Sequence, residues 1–233
     1  MYIIQDERVF RYSFRDHPFS SEKARKATQI LVSEGIVKPI RAREYPEDIL
    51  YLFHDRNYVE FVKEKSKEGR GYLLEKGIKP LLYVDIDAHH GDGVFYGFID
   101  NRDVYIIDYH EDPRTLFPGT GYEYETGEGE AKGTKRNVVR EMFSTEIDRG
   151  EFDQFIAGKN FKFILMQIGA DGLAGDPLTH LRYGIDSYRK IIKRVHTISR
   201  DMCEGRLVLL GGGGYSLQNA VEAYTSAIKG LRQ

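Results

Sequence analysis

Three short apolar runs in this chain each stop at a cluster of polar and glycine residues, and that repeat constrains the fold more than any bulk property does. Leu81 to Ile86 leads into Asp85-Ile86-Asp87-Ala88-His89-His90-Gly91-Asp92-Gly93, and Phe163 to Ile168 leads into Gly169-Ala170-Asp171-Gly172. Leu207 to Leu210 leads into Gly211-Gly212-Gly213-Gly214-Tyr215. A fourth run, Val104 to Ile107, has the same unbroken apolar character. Strands without polar alternation are buried on both faces, as they are in a parallel sheet covered by helices. Helical periodicity surrounds them, at Ser21 to Ser33, Asn57 to Lys67, Thr145 to Ala157, Tyr183 to Met202 and Leu217 to Leu231. The alternation predicts an α/β fold, a mostly parallel sheet with helices on both faces, as a single domain over residues 1–233.

In open parallel sheets ligands bind beyond the carboxyl ends of the strands, so the three clusters are expected to converge on one crevice. Asp87 and His89 are two residues apart and project to the same side of an extended segment, with Asp85 one step earlier on that side. Asp171 from another strand completes a set of two carboxylates and one imidazole. Three such ligands leave a coordination position open for water or substrate, which is the arrangement of a catalytic zinc site. A closed structural site would draw on thiolates, and the chain has one cysteine, Cys203. That lone thiol also rules out an intramolecular disulfide framework and fits a reducing, cytoplasmic setting.

The remaining sequence narrows the partners. With 34 basic and 36 acidic residues the formal charge is −2, so nothing pulls the chain toward nucleic acid or an anionic membrane. No apolar run approaches the roughly 20 residues that span a bilayer, and Met1 to Glu7 lacks the layout of a signal peptide. The glycine run is not followed by Lys-Ser/Thr and lacks dinucleotide-type spacing, which argues against nucleotide binding. Tyr215 precedes Ser216, a good N-cap for the last helix, and its hydroxyl is expected to reach the crevice. The segment Glu111 to Lys135, rich in Gly and Pro, reads as a long irregular connection of functional length. His17, His54, His180 and His196 read as hydrogen-bonded structural residues, and His110 is set apart by its place at a strand end. Two other readings compete. One treats the aspartates and histidines as turn and capping residues. The other makes Asp85 the nucleophile of a magnesium-dependent phosphatase, which leaves His89, His90 and Tyr215 without work.

Taken with Phe117-Pro118-Gly119-Thr120-Gly121, the three clusters resemble the histone deacetylase superfamily, which includes acetoin utilization proteins and acetylpolyamine amidohydrolases. Asp176-Pro177-Leu178-Thr179-His180-Leu181 is similar to the acetoin-utilization branch, and His17-Pro18-Phe19 with His54 to Val59 extend the likeness toward the N-terminus. The resemblance implies an arginase/deacetylase-like fold, zinc on Asp87, His89 and Asp171, and Tyr215 donating to a developing oxyanion. It implies that Phe117 and Gly213 line a narrow channel for an acetylated amine or acetyl-lysine. Asp85, with carbonyls near His89 and Asp108, would hold a monovalent cation such as potassium, although Asp108 stands where relatives commonly carry serine.

Family members also carry, before the strand like Leu81 to Asp87, several dozen residues including a glycine-rich loop with a tandem histidine. Here Gly69-Arg70-Gly71-Tyr72-Leu73-Leu74-Glu75-Lys76-Gly77 makes the connection almost directly. Asp85 and Asp92, which by resemblance orient that histidine pair, are left without it. General acid–base catalysis contributes about 10²–10⁴-fold, so the chain is expected to bind metal yet hydrolyse amides poorly. A metal-stabilised module that binds acyl chains without cleaving them is the alternative.

Overall fold

The computed structural model describes residues 2–5, 10, 21–41 and 77–231. Tyr2–Gln5 (β1) pairs in parallel with Lys38–Arg41 (β2), and Glu22–Ser33 (α1) lies between them in sequence. The main sheet is built from Leu81–Asp85 (β3), Val104–Glu111 (β4), Lys135–Arg140 (β5), Phe163–Gln167 (β6) and Leu207–Leu210 (β7). Its order is β5-β4-β3-β6-β7, and every pairing is parallel. The intervening helices are Asp92–Gly97 (α2), Arg149–Ile156 (α3), Ile185–Cys203 (α4) and Leu217–Gly230 (α5).

Both faces of the central strands are covered, as their unbroken apolarity requires. Tyr83, Val104 and Ile106 pack with Phe95 of α2 in one cluster. Leu82, Val84, Ile107, Ile164 and Met166 pack with residues of α3, α4 and α5 in the other. Residues paired in register share a face, and neighbours along a strand alternate, so these are opposite faces of one sheet. α4, with 19 residues, is the longest helix among the described residues. Tyr188, Ile191, Ile192, Val195 and Ile198 form its buried stripe at helical spacing, and Glu204 ends it in the left-handed conformation.

The strands expected at Leu81, Phe163 and Leu207 are present with ends shifted by at most one residue. β4 runs four residues beyond the predicted Ile107, because Asp108, His110 and Glu111 are buried polar residues that an apolar criterion ends on. β5 lies on the sheet edge, and its Lys-Arg-Asn-Val-Val-Arg sequence carries no apolar run; the expected long irregular connection therefore ends in a strand. α3 starts at Arg149, not Thr145, since Asp148 caps it by accepting the Gly150 N–H at 2.7 Å. α2 was not anticipated. The helix expected at Asn57 to Lys67, His17 and His54 lie outside the described residues.

Candidate metal centre

The sheet grows in two directions from its middle: from β3 outward through β4 to β5, then from β6 outward to β7. Between β3 and β6 the winding reverses, and connections leaving two neighbouring strands part to opposite sides. Such a switch point leaves a crevice at the carboxyl ends of the strands. Asp87 follows β3 and Asp171 follows β6, so one carboxylate enters from each side.

Asp87, His89 and Asp171 meet there, with one potential ligand atom from each lying within 4.8 Å of the others. His89 Nδ1 is 2.8 Å from Asp171 Oδ2 and 3.1 Å from Asp87 Oδ1. Each carboxylate is held from behind. The Ala88 N–H donates to Asp171 Oδ1 at 2.8 Å. Asp87 Oδ2 accepts from Gly213 N–H at 2.6 Å and from Gln167 Nε2 at 2.7 Å. Two glycines keep the space clear: a Cβ on Gly213 would overlap Asp171 Oδ2 and stand 2.8 Å from Asp87 Oδ2, and one on Gly169 would overlap Asp87 Oδ2.

The electrostatics are those of a cation site. Burial and then the neighbouring Asp87 charge raise Asp171 to about 7. Burial also works against Asp87, but hydrogen bonds from His89 and its other partners hold it well below the usual carboxylate range. For His89 burial opposes the charge, and the hydrogen bonds to Asp171 and Asp87 overcome it and lift the imidazole to about 10. Two buried carboxylates thus draw positive charge into the space between them, and a divalent ion with N and O ligands satisfies them as an imidazolium does. The residues fit zinc in donor type, number and openness.

Beside the cluster lies a cavity of about 430 Å³ lined by Asp87, His89, His90, Leu116, Phe117, Pro118, Leu178, Gly213 and Tyr215. Phe117 is 79% exposed at its mouth. The Tyr215 ring stands edge-on to His89, centroids 6.0 Å apart, and burial with the nearby Asp171 charge raises its phenol so that it keeps its proton. Its backbone N–H is fixed on Asp176 Oδ2 at 2.7 Å. The sequence-predicted Phe117, Gly213 and Tyr215 therefore line one cavity with Asp87 and His89.

Asp85 and Asp92 are not part of it. Asp85 is 1% exposed and accepts from Tyr83 Oη and from the Asp87 N–H, both at 3.0 Å. Burial, then the Asp108 and Asp87 charges, raise it well above the ordinary aspartate value. Enclosed in this way, Asp85 offers no open approach for the phosphate ester that a nucleophilic role needs. Asp92 is exposed on the first turn of α2, its Oδ1 taking the Gly93 N–H at 2.8 Å. His110 is buried between Asp108 Oδ1 at 3.0 Å and the Gly121 carbonyl at 2.8 Å, where it pins the loop after β4.

Two residues escaped sequence reasoning. Gln167 ends an apolar strand with a polar side chain that reaches Asp87, and its position two residues before Gly169 was the available signal. Lys23 of α1 is buried and donates to the carbonyls of Gly212 at 2.7 Å and Gly214 at 3.0 Å, fixing the glycine turn that carries Gly213. Nothing in an amphipathic helix pattern marks it.

A doubly covered parallel sheet with a group of three residues that could hold a metal ion at its switch point is the frame in which the chain's relatives are to be read. Residues 71–231 match the histone deacetylase domain model, and the chain belongs to that family. It is 39% identical to the acetoin utilization protein AcuC of Bacillus subtilis over 155 residues, 64% of this chain and 40% of that protein. To histone deacetylase 14, chloroplastic, of Arabidopsis thaliana it is 29% identical over 160 residues, 66% of this chain and 37% of the relative. These matches thus span less than half the length of either relative. Against AcuC of Staphylococcus aureus (strain COL) the identity is 24% over 302 positions, covering 94% of this chain and 78% of the relative. That alignment is longer than this chain, so the relative has stretches with no counterpart here. Among solved structures, the HDA15 HD domain superposes with a TM-score of 0.73 at 20% identity, covering 98% of this chain and 86% of that one. An HDAC homolog complexed with SAHA gives 0.72 at 21%, covering 96% and 82%. They share the fold of this chain. No helix among the described residues is long and apolar enough to cross a membrane.

Proposed function

We propose that this chain is a zinc-binding deacetylase-type amidohydrolase domain, that its substrate class is an acetylated small amine or acetyl-lysine, and that its hydrolysis is impaired. The observation that carries the reading is the convergence of Asp87, His89 and Asp171 around a space that Gly213 and Gly169 keep free. Zinc held there supplies a Lewis acid toward an acyl oxygen and toward water. The protein's own groups do the rest. Leu116, Phe117 and Leu178 form apolar walls suited to an aliphatic amine chain and exclude water from it. Tyr215 retains its phenolic proton and can donate it as a hydrogen bond to an oxygen that gains charge. Asp87 and Asp171 are held in place by the Gly213, Gln167 and Ala88 donors, so no side chain need reorganise. A potassium ion at Asp85 belongs to the same proposal; it would relieve the crowding of Asp85 and Asp108, which pair in register.

The missing step is proton transfer. The junction from Gly69 to Gly77 carries no histidine, and Asp85 and Asp92 have no imidazole to orient. Turnover should therefore be lower than that of a complete relative by about 10²–10⁴-fold. The same absence favours a second reading, a module that binds acyl chains without cleaving them.

The test is zinc content by elemental mass spectrometry, combined with turnover of an acetyl-lysine peptide, on protein whose intact mass matches 26.9 kDa. Stoichiometric zinc with slow turnover supports the enzyme reading. Zinc with binding and no turnover selects the module, and a chain that takes up no zinc overturns both. The cytoplasm is the compartment we assign, on the single cysteine and the absence of disulfides.

A further inference from the structure

β7 forms one edge of the main sheet, and no strand among the described residues pairs with its outer side. Its ladder with β6 fixes which backbone groups are left over. Ile164 N–H donates to Arg206 O at 3.0 Å and Ile168 N–H to Leu210 O at 2.9 Å. In a parallel ladder alternate residues bond to the same neighbour, so Val208 also faces β6, and Leu209 turns its N–H and C=O away from the sheet. By the same alternation the Leu207 carbonyl and the Gly211 N–H point outward, while the Leu207 N–H donates to Gly205 O at 2.8 Å. The outward groups of Leu207, Leu209 and Gly211 have no hydrogen-bond partner among the described residues.

The side chains of β7 are apolar on both faces, yet one face is open. Leu207 and Leu209 pack onto the core that the long helices cover. Val208 and Leu210 point the other way and are 40% and 39% exposed. On that side Phe95 of α2 packs with β3 and β4, and Leu165 of β6, the register partner of Val208, is only partly buried. An open apolar edge of this kind is a template for pairing with another chain, and Leu-Val-Leu-Leu carries neither the charge nor the proline that keeps such edges apart.

The pattern is complementary to itself. Let two copies of β7 run antiparallel about a two-fold axis at Leu209. The two Leu209 residues then exchange both of their N–H···O bonds, and each Gly211 N–H meets the Leu207 carbonyl of the other copy. Val208 of one copy lies opposite Leu210 of the other as a closely spaced pair without hydrogen bonds between them, so the exposed side chains cover each other. In the same register Arg206 faces Gly212, and no charge is set against a like charge. Backbone, apolar surface and charge thus select a second copy of this chain as the occupant. We propose that the chain forms a symmetric dimer through β7, which joins two five-stranded sheets into one of ten strands with a single antiparallel junction. The interface is independent of what the chain hydrolyses.

Sedimentation velocity of the full chain over a series of protein concentrations tests this, with circular dichroism as the check on folding. The wild type should sediment at twice the 26.9 kDa of one chain and dissociate on dilution. Combining Val208→Lys with Leu210→Lys sets lysine against lysine across the two-fold axis and should leave monomer only. Combining Val208→Lys with Leu210→Glu sets lysine against glutamate in the same places and should restore the dimer, more strongly at low salt. Leu209→Pro removes an N–H that β6 does not use and should also give monomer. Should the double-lysine variant fail to fold, the proline variant decides. A wild type that stays monomeric, a folded double-lysine or proline variant that still dimerises, or a folded lysine–glutamate variant that does not, overturns the proposal.

Discussion

His89 Nδ1 lies 2.8 Å from Asp171 Oδ2 although 82 residues separate them in sequence. Neither residue would be held there without the parallel pairing of β3 with β6, which aligns Asp85 with Gln167 and so brings the two strand ends level. The meeting of Asp87, His89 and Asp171 is therefore a property of the sheet's register, and the following expectations depend on it.

Gly213→Ala should abolish metal binding while leaving the fold intact. The added methyl group would overlap Asp171 Oδ2 and crowd Asp87 Oδ2, inside the space a cation would occupy. Zinc content after dialysis, with circular dichroism as the check on folding, measures this. Stoichiometric zinc in the variant would show that the ion sits elsewhere.

Gln167→Leu removes the amide that donates to Asp87 Oδ2 at 2.7 Å. Partners that orient a ligand in this way are worth about 10–100-fold in metal affinity, and a loss in that range is expected. Competition against a fluorescent chelator reads it directly, and unchanged affinity would mean that the Gly213 N–H alone orients Asp87.

Metal affinity should rise with pH. Without a cation His89 holds its proton to about 10 and Asp171 to about 7, and an entering ion must displace both. Below about 7 two protons leave, and between about 7 and 10 one does, so the apparent affinity should gain about one decade per pH unit for each proton released. Calorimetry in buffers of different ionisation enthalpy counts these protons; no release at pH 6 would contradict the assignment of the ligands.

Asp85 gives a stability prediction of opposite sign to that of an ordinary salt-bridged aspartate. Its folded value is raised by burial, so above about 4 the folded chain keeps a proton that the unfolded chain has lost. Stability from this group is complete below that value and falls as pH rises, by at most about 1.4 kcal/mol per unit. Asp85→Asn should lack this slope in urea unfolding with chelator and no potassium. If potassium occupies the site, adding it should flatten the wild-type slope; parallel curves for the two proteins would remove Asp85 as a titrating group.

The parts of the fold that were legible in the sequence are those buried on both faces. β3, β6 and β7 read as strands because apolar side chains fill both sides of them. β5 did not, since an edge strand carrying Lys135, Arg136 and Arg140 has no such run. Of the residues the structure brings together, Asp87, His89, Asp171, Phe117, Gly213 and Tyr215 could be singled out as candidates because each stands in a cluster at a strand end or in a recognisable motif. Lys23 and Gln167 were not, since their roles depend on which backbone atoms and carboxylates the tertiary structure brings to them. Asp92, which by resemblance orients a histidine in relatives and was expected to lack that partner here, stands exposed with its Oδ1 accepting from the Gly93 N–H.

The reversal of winding between β3 and β6 also decides what a bound ion would tie together. Asp87 and His89 follow β3, Asp171 follows β6, Gly213 and Tyr215 follow β7, and Lys23 fixes the glycine turn from α1. An ion taken up there would link segments far apart in sequence, so loading the site should raise the resistance of the whole sheet to unfolding and not that of one loop.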